Sequence, residues 1–249
     1  MSKSRSKFFS RPRNARLNDL MSDLSVALSV GKSVLLFASI LGVASYACGD
    51  VNKGSYVLST IHALSMLIFT TYILLFDCAF SGDDHCFFDS GINSVEQSGM
   101  LVLSIGYFIV DSLVVLFLVP DKEAAFHHLS IIIGQVAAVA TGTCGYALAW
   151  FLFLAELSAP FLNCFLSGLT IEGSKTDFVF RAMFAFTFIV SRLLICPFMT
   201  YKFVFGCPNA PTVPKLVCLC VMAISIIWGK RVVLATYEAL CPKIPTKTE

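Results

Sequence analysis

Asp111, Glu156 and Arg192 each stand near the middle of a long apolar run in this 249-residue chain. An ionised side chain at the centre of a membrane helix costs about 2.5–3.5 kcal/mol on insertion scales, so these residues imply a shared polar interior. At 1.5 Å per residue, Glu156 and Arg192 fall at similar depth, roughly 18–21 Å from the face that carries His127, and are expected to pair. A His127-His128 dipeptide follows Pro120-Asp121-Lys122-Glu123. Imidazole can attack an acyl carbon or deprotonate an amine or hydroxyl near neutral pH, and a carboxylate such as Asp111 could orient it or balance its charge. Adjacent helical residues diverge by about 100°, so one histidine can face a pocket while the other meets a neighbouring helix. Asp111 is expected about 12 Å below the histidines, within reach only by tilt or through a bridging group.

Helical spacing gathers further polar residues around these. Ser104, Tyr107 and Asp111 share one face of their run, and Glu156, Pro160, Asn163 and Ser167 share one face of another. Pro160 lacks an N–H, which frees the carbonyl of Glu156 and can bend its helix. His62 lies near the start of a third run and can join the same polar layer. Metal chemistry finds little support. The four histidines are too few for a membrane di-iron centre. Asp83-Asp84-His85-Cys86 with Cys78 has ligand types in irregular spacing and reads as a solvated acidic loop. No metal or cofactor is expected.

The elements that position these residues follow from composition. The chain is 57% apolar and 14% charged, a balance that excludes a soluble domain, and its 23 Phe exclude disorder. A net charge of +2 gives no reason to expect nucleic acid. Seven stretches approach the roughly 20 apolar residues that cross a bilayer: Ser33–Cys48, Tyr56–Phe76, Gly99–Val119, Leu129–Tyr146, Ala147–Leu169, Phe178–Phe205 and Pro214–Trp228, the last extendable to Tyr237. Continuous apolar runs without alternation exclude a barrel, so the fold is an all-α integral membrane bundle. Lys3, Arg5, Lys7, Arg11, Arg13 and Arg16 form a basic N-terminal arm. Cys78 and Cys86, flanking the acidic loop, are the plausible disulfide partners, because most other cysteines lie in spans.

The pieces Ser59-Thr60-Ile61-His62-Ala63-Leu64, Phe76-Asp77, Gly106-Tyr107-Phe108-Ile109-Val110-Asp111, His127-His128, Leu154-Ala155-Glu156-Leu157-Ser158-Ala159-Pro160-Phe161-Leu162-Asn163 and Arg192 resemble, in order, the TRAM/LAG1/CLN8 (TLC) domain family. The resemblance implies a six-helix TLC bundle over 56–237, preceded by an arm and linker at 1–32 and an extra transmembrane helix and loop at 33–55, and followed by a polar tail at 238–249. It implies residence in the endoplasmic reticulum, with plasma membrane or Golgi as alternatives, and a role in lipid synthesis, sensing or trafficking. It also implies that the histidine loop and C-terminal tail face the cytosol. The cavity residues would be His62, Tyr107, Glu156, Ser158, Pro160, Asn163 and Arg192, with a membrane lipid or fatty acyl chain as ligand. If the protein is an enzyme, it would be an acyl-CoA-dependent acyltransferase related to ceramide synthases, acting through His127 or His128 with Asp111. The His-Asp-x-x-Asp-x-x-x-Glu run of those synthases is absent downstream. The alternative is a small transporter or proton-coupled carrier using Asp111, Glu156 and Arg192, against which stands the lack of an internal repeat.

Overall fold

The structure is a computed structural model that describes residues 13–79 and 91–241, with side chains from 23–76 and 91–241. The expected Cys78–Cys86 pairing, most of the basic arm, the centre of the acidic loop and the residues after 241 lie outside these limits. Helices α1 (Arg13–Cys48), α2 (Val51–Ala79), α3 (Val95–Leu113), α4 (Lys122–Thr141), α5 (Gly145–Glu156), α6 (Ala159–Leu166), α7 (Lys175–Phe188), α8 (Cys196–Gly206) and α9 (Thr212–Leu240) account for the described chain. Two π-helical segments interrupt them, Val114–Leu118 after α3 and Ile189–Ile195 between α7 and α8. Among the described residues, seven helical stretches are long and apolar enough to cross a membrane, the fifth being α5 with α6 and the sixth α7 with α8.

Local chemistry fixes where the spans begin and end. Ser94 caps α3 in a reciprocal box with Gln97, and Asp121 caps α4 by accepting from the N–H groups of Glu123 and Ala124. The fourth span therefore starts at Lys122 rather than Leu129, because its first turn is charged and capped instead of apolar. It also ends before Tyr146: Gly142 adopts φ 65° at its C-terminus, and Tyr146 belongs to α5. Asn93 pins this corner, its amide donating to the Ala138 carbonyl and its oxygen accepting from Gly145 N–H. The first helix is longer than its apolar core of Ser33–Cys48 and crosses with Asp23–Cys48.

A bilayer supplies no hydrophobic drive between helices, so close backbone approach and buried polar contacts hold them. Ser33 of α1 donates to the Leu103 carbonyl of α3 at 3.0 Å. That approach requires Gly106, where a Cβ would fall 2.1 Å from Ser33 Oγ and 2.8 Å from its backbone carbon. The outer surface stays apolar, with Leu35, Val43 and Ile68 each about 70% exposed, as lipid permits. With seven crossings, the α1–α2, α3–α4 and α6–α7 connections and the end of α9 share one membrane face.

Candidate functional site

A cavity of about 440 Å³ opens toward that face. Its rim carries Asn52, Asp121 and Arg231, its walls Val115, Leu162, Phe184 and Val232, and its floor Tyr107, Asp111, His128, Ser158, Asn163 and Arg192. The histidines lie inside α4, so His128 descends roughly 9 Å along the helix and reaches the depth of Asp111. The expected offset between them is thereby corrected: His128 Nε2 stands 3.6 Å from Asp111 Oδ2. Tyr107, one turn before Asp111, donates its hydroxyl to the same carboxylate oxygen at 3.1 Å.

The adjacent histidines go separate ways. His127 points to α9, with its ring edge-on to Trp228 at 5.1 Å. Trp228 Nε1 in turn donates to Glu123 Oε2 at 2.8 Å, and Arg231 grips the same carboxylate through two hydrogen bonds of 2.9 and 2.6 Å. This clasp fastens the start of α4 to the end of α9 beside the mouth. Neither Glu123 nor Trp228 nor Arg231 stands out in the sequence, since a charged first turn and an interfacial Trp are ordinary at span ends.

Behind the floor, His62 is fully buried and stacks on Tyr107, with ring centroids 3.7 Å apart and an interplanar angle of 10°. Its Nδ1 lies 3.7 Å from Glu156 Oε1. The acid expected to meet Arg192 therefore faces a histidine, and no Glu156–Arg192 ion pair forms among the described residues. Instead Arg192 Nη2 donates to the Ala155 carbonyl at 2.6 Å. The physical reason is the break in the fifth span. α5 stops at Glu156 and α6 begins at Ala159 with Pro160 in its first turn, leaving the terminal carbonyls of α5 free to draw a cation. Pro160 thus shapes the break without lining the cavity, while Ser158 and Asn163 do line it, Asn163 Nδ2 donating to Ser59 Oγ at 2.9 Å. Ser104 turns away, accepting from Gln135 of α4.

Both charged floor residues sit beside or within π-helical turns, a geometry that recurs at functional sites. The run Glu156, His62, Tyr107, Asp111, His128 forms one polar strip through four spans. Chemically, His128 Nε2 beside a carboxylate is a general-base arrangement; such contacts are often longer than a hydrogen bond before substrate tightens them.

A family model described as the TLC domain, TRAM_LAG1_CLN8, matches residues 54–234. The chain belongs to the TLC domain family. TLC domain-containing protein 4-B of Danio rerio is 26% identical over 206 residues, covering 76% of this chain and 75% of that protein. TLC domain-containing protein 4 of Homo sapiens is 35% identical over 116 residues, covering 45% of this chain and 42% of its own. No solved structure matches. The TLC match begins just after α1, so it takes in α2 to α9 and every floor residue described above.

Proposed function

We propose that this TLC protein binds a membrane lipid in the cavity and acts in lipid homeostasis, through synthesis, sensing or trafficking, in the endoplasmic reticulum. The observation that carries the reading is the cavity itself: a space of about 440 Å³ with apolar walls, a floor of convergent polar groups and a mouth at the membrane face. Ligand sites typically combine these properties. The same reading assigns any chemistry to His128, which faces Asp111, rather than to His127, which packs on Trp228. Acyl transfer from acyl-CoA would use His128 as acyl acceptor or as base for an incoming amine or hydroxyl, with Asp111 orienting the ring. Mass spectrometry of lipids that copurify in mild detergent tests the binding reading, and incubation with labelled acyl-CoA and a panel of long-chain amines and lysolipids tests the transfer. A bound lipid without turnover supports a binding protein. Absence of any lipid overturns the reading.

A second reading rests on the polar strip from Asp111 to Glu156, which reaches from the cavity into the bundle as a proton relay would. Ion-dependent flux in liposomes, lost in Asp111→Asn, would favour a carrier.

A further inference from the structure

Arg192 is 8% exposed, and its Nε and Nη1 have no hydrogen-bond partner among the described residues. A buried guanidinium with unused donors is costly unless something else meets it. The other arginines near the cavity are already matched: Arg181 Nε to Asp177 at 2.9 Å, and Arg231 to Glu123 at 2.6 Å. The two floor acids are matched as well, each facing a histidine, so that one proton shared within each acid–histidine pair leaves that pair neutral. The unmatched charge of the floor is then a single positive one on Arg192, and Arg192 lines the cavity.

A second space of about 370 Å³ lies between α7 and α9. Phe184 and Val232 belong to the walls of both spaces. Its remaining lining is mainly apolar, and Phe178 and Leu240 at its edge are 64% and 71% exposed, so it opens sideways toward lipid. A polar floor and a lateral apolar groove therefore meet at two side chains, which is the shape of an amphiphile lying head inward.

Resting on the lipid-binding reading above, we propose that the ligand is a fatty acid, its carboxylate held by Arg192 and its chain passing Phe184 and Val232 into the groove between α7 and α9. A guanidinium suits a planar carboxylate, and a monoanion neutralises the floor where a phosphate monoester would overcharge it beside Asp111 and Glu156. The experiment uses the full chain in nanodiscs at about pH 8, where a carboxylate is ionised, with labelled oleate, oleyl alcohol, lysophosphatidate and octanoate as probes. Oleate should bind at least about tenfold more tightly than oleyl alcohol, and Arg192→Gln should erase that preference by weakening oleate alone. Val232→Trp, which narrows the passage, should weaken oleate severalfold and leave octanoate nearly unchanged. The acid–alcohol comparison on wild-type protein needs no variant to fold. Equal binding of acid and alcohol, or tighter binding of lysophosphatidate than of oleate, overturns the carboxylate assignment while leaving the lipid-binding reading intact. Failure of every probe to bind, with no copurified lipid, overturns both.

Discussion

His128 and Asp111 come from successive spans joined by a tight connection, yet their side chains meet at 3.6 Å because each lies about the same distance below that connection. The contact is made possible by the charged first turn of α4, which extends the helix upward from the apolar run and carries the histidines down into the bundle. His127, one position earlier, is rotated onto Trp228.

The two histidines should therefore separate in experiment. His128→Ala should abolish any acyl transfer and weaken retention of bound lipid, with little change in folded yield. His127→Ala should leave both nearly intact but lower stability by about 0.5–1.5 kcal/mol through loss of the ring contact with Trp228. Turnover, copurified lipid and thermal unfolding in detergent, measured side by side, check the split. Loss of lipid in His127→Ala with none in His128→Ala would reverse the assignment.

Glu156 should couple to His62 rather than to Arg192. A double-mutant cycle of Glu156→Gln with His62→Gln should give an interaction energy above about 0.5 kcal/mol, whereas the cycle of Glu156→Gln with Arg192→Gln should give the smaller value. Unfolding midpoints of the single and double variants supply both cycles. The reverse ranking would place the ion pair back between Glu156 and Arg192.

The clasp at the mouth is testable through Glu123. Glu123→Ala removes the acceptor shared by Trp228 and Arg231 and should free the end of α9 from α4. Because Arg231 is 64% exposed, its ion pair contributes at most about 1 kcal/mol, and the larger effect should be on opening. Cysteines placed at the start of α4 and the end of α9 should cross-link more slowly in Glu123→Ala than in the parent.

Gly106 should be irreplaceable by a branched residue. Gly106→Val puts methyl groups where Ser33 sits, including against its backbone, and should cost about 1–3 kcal/mol or displace α1. Protease sensitivity of the N-terminal segment in detergent reports the displacement. Unchanged sensitivity and stability would mean that α1 docks elsewhere.

The number of crossings and the location of the polar interior were legible because both depend on residue type alone: long apolar runs span, and charges within them turn inward. The helix beginnings were less so. Lys122 and Glu123 look like a loop until Asp121 is seen to cap them, and that misplacement set His128 too high. The partner of Glu156 was missed for a different reason. Depth along a helix can be counted from sequence, whereas direction around it cannot once a helix breaks at Leu157 and Ser158 or loosens at Ile189–Ile195. The link from Trp228 to Glu123 bridges 105 positions, and nothing local to either residue announces the other.

The loosened stretch at Ile189–Ile195 has a consequence for how α7 and α8 can vary together. A π-helical turn holds more residues than the α-helical turn it replaces, so loss of one residue there would restore ordinary winding and swing everything beyond it by about 100°. Cys196, Met199, Thr200 and Phe203, which now point into the bundle, would swing toward lipid, and the lipid-facing Phe198 and Tyr201 would move the other way. The two halves of this span are thus out of phase by design, and a deletion that looks harmless in an apolar run would scramble half a helix.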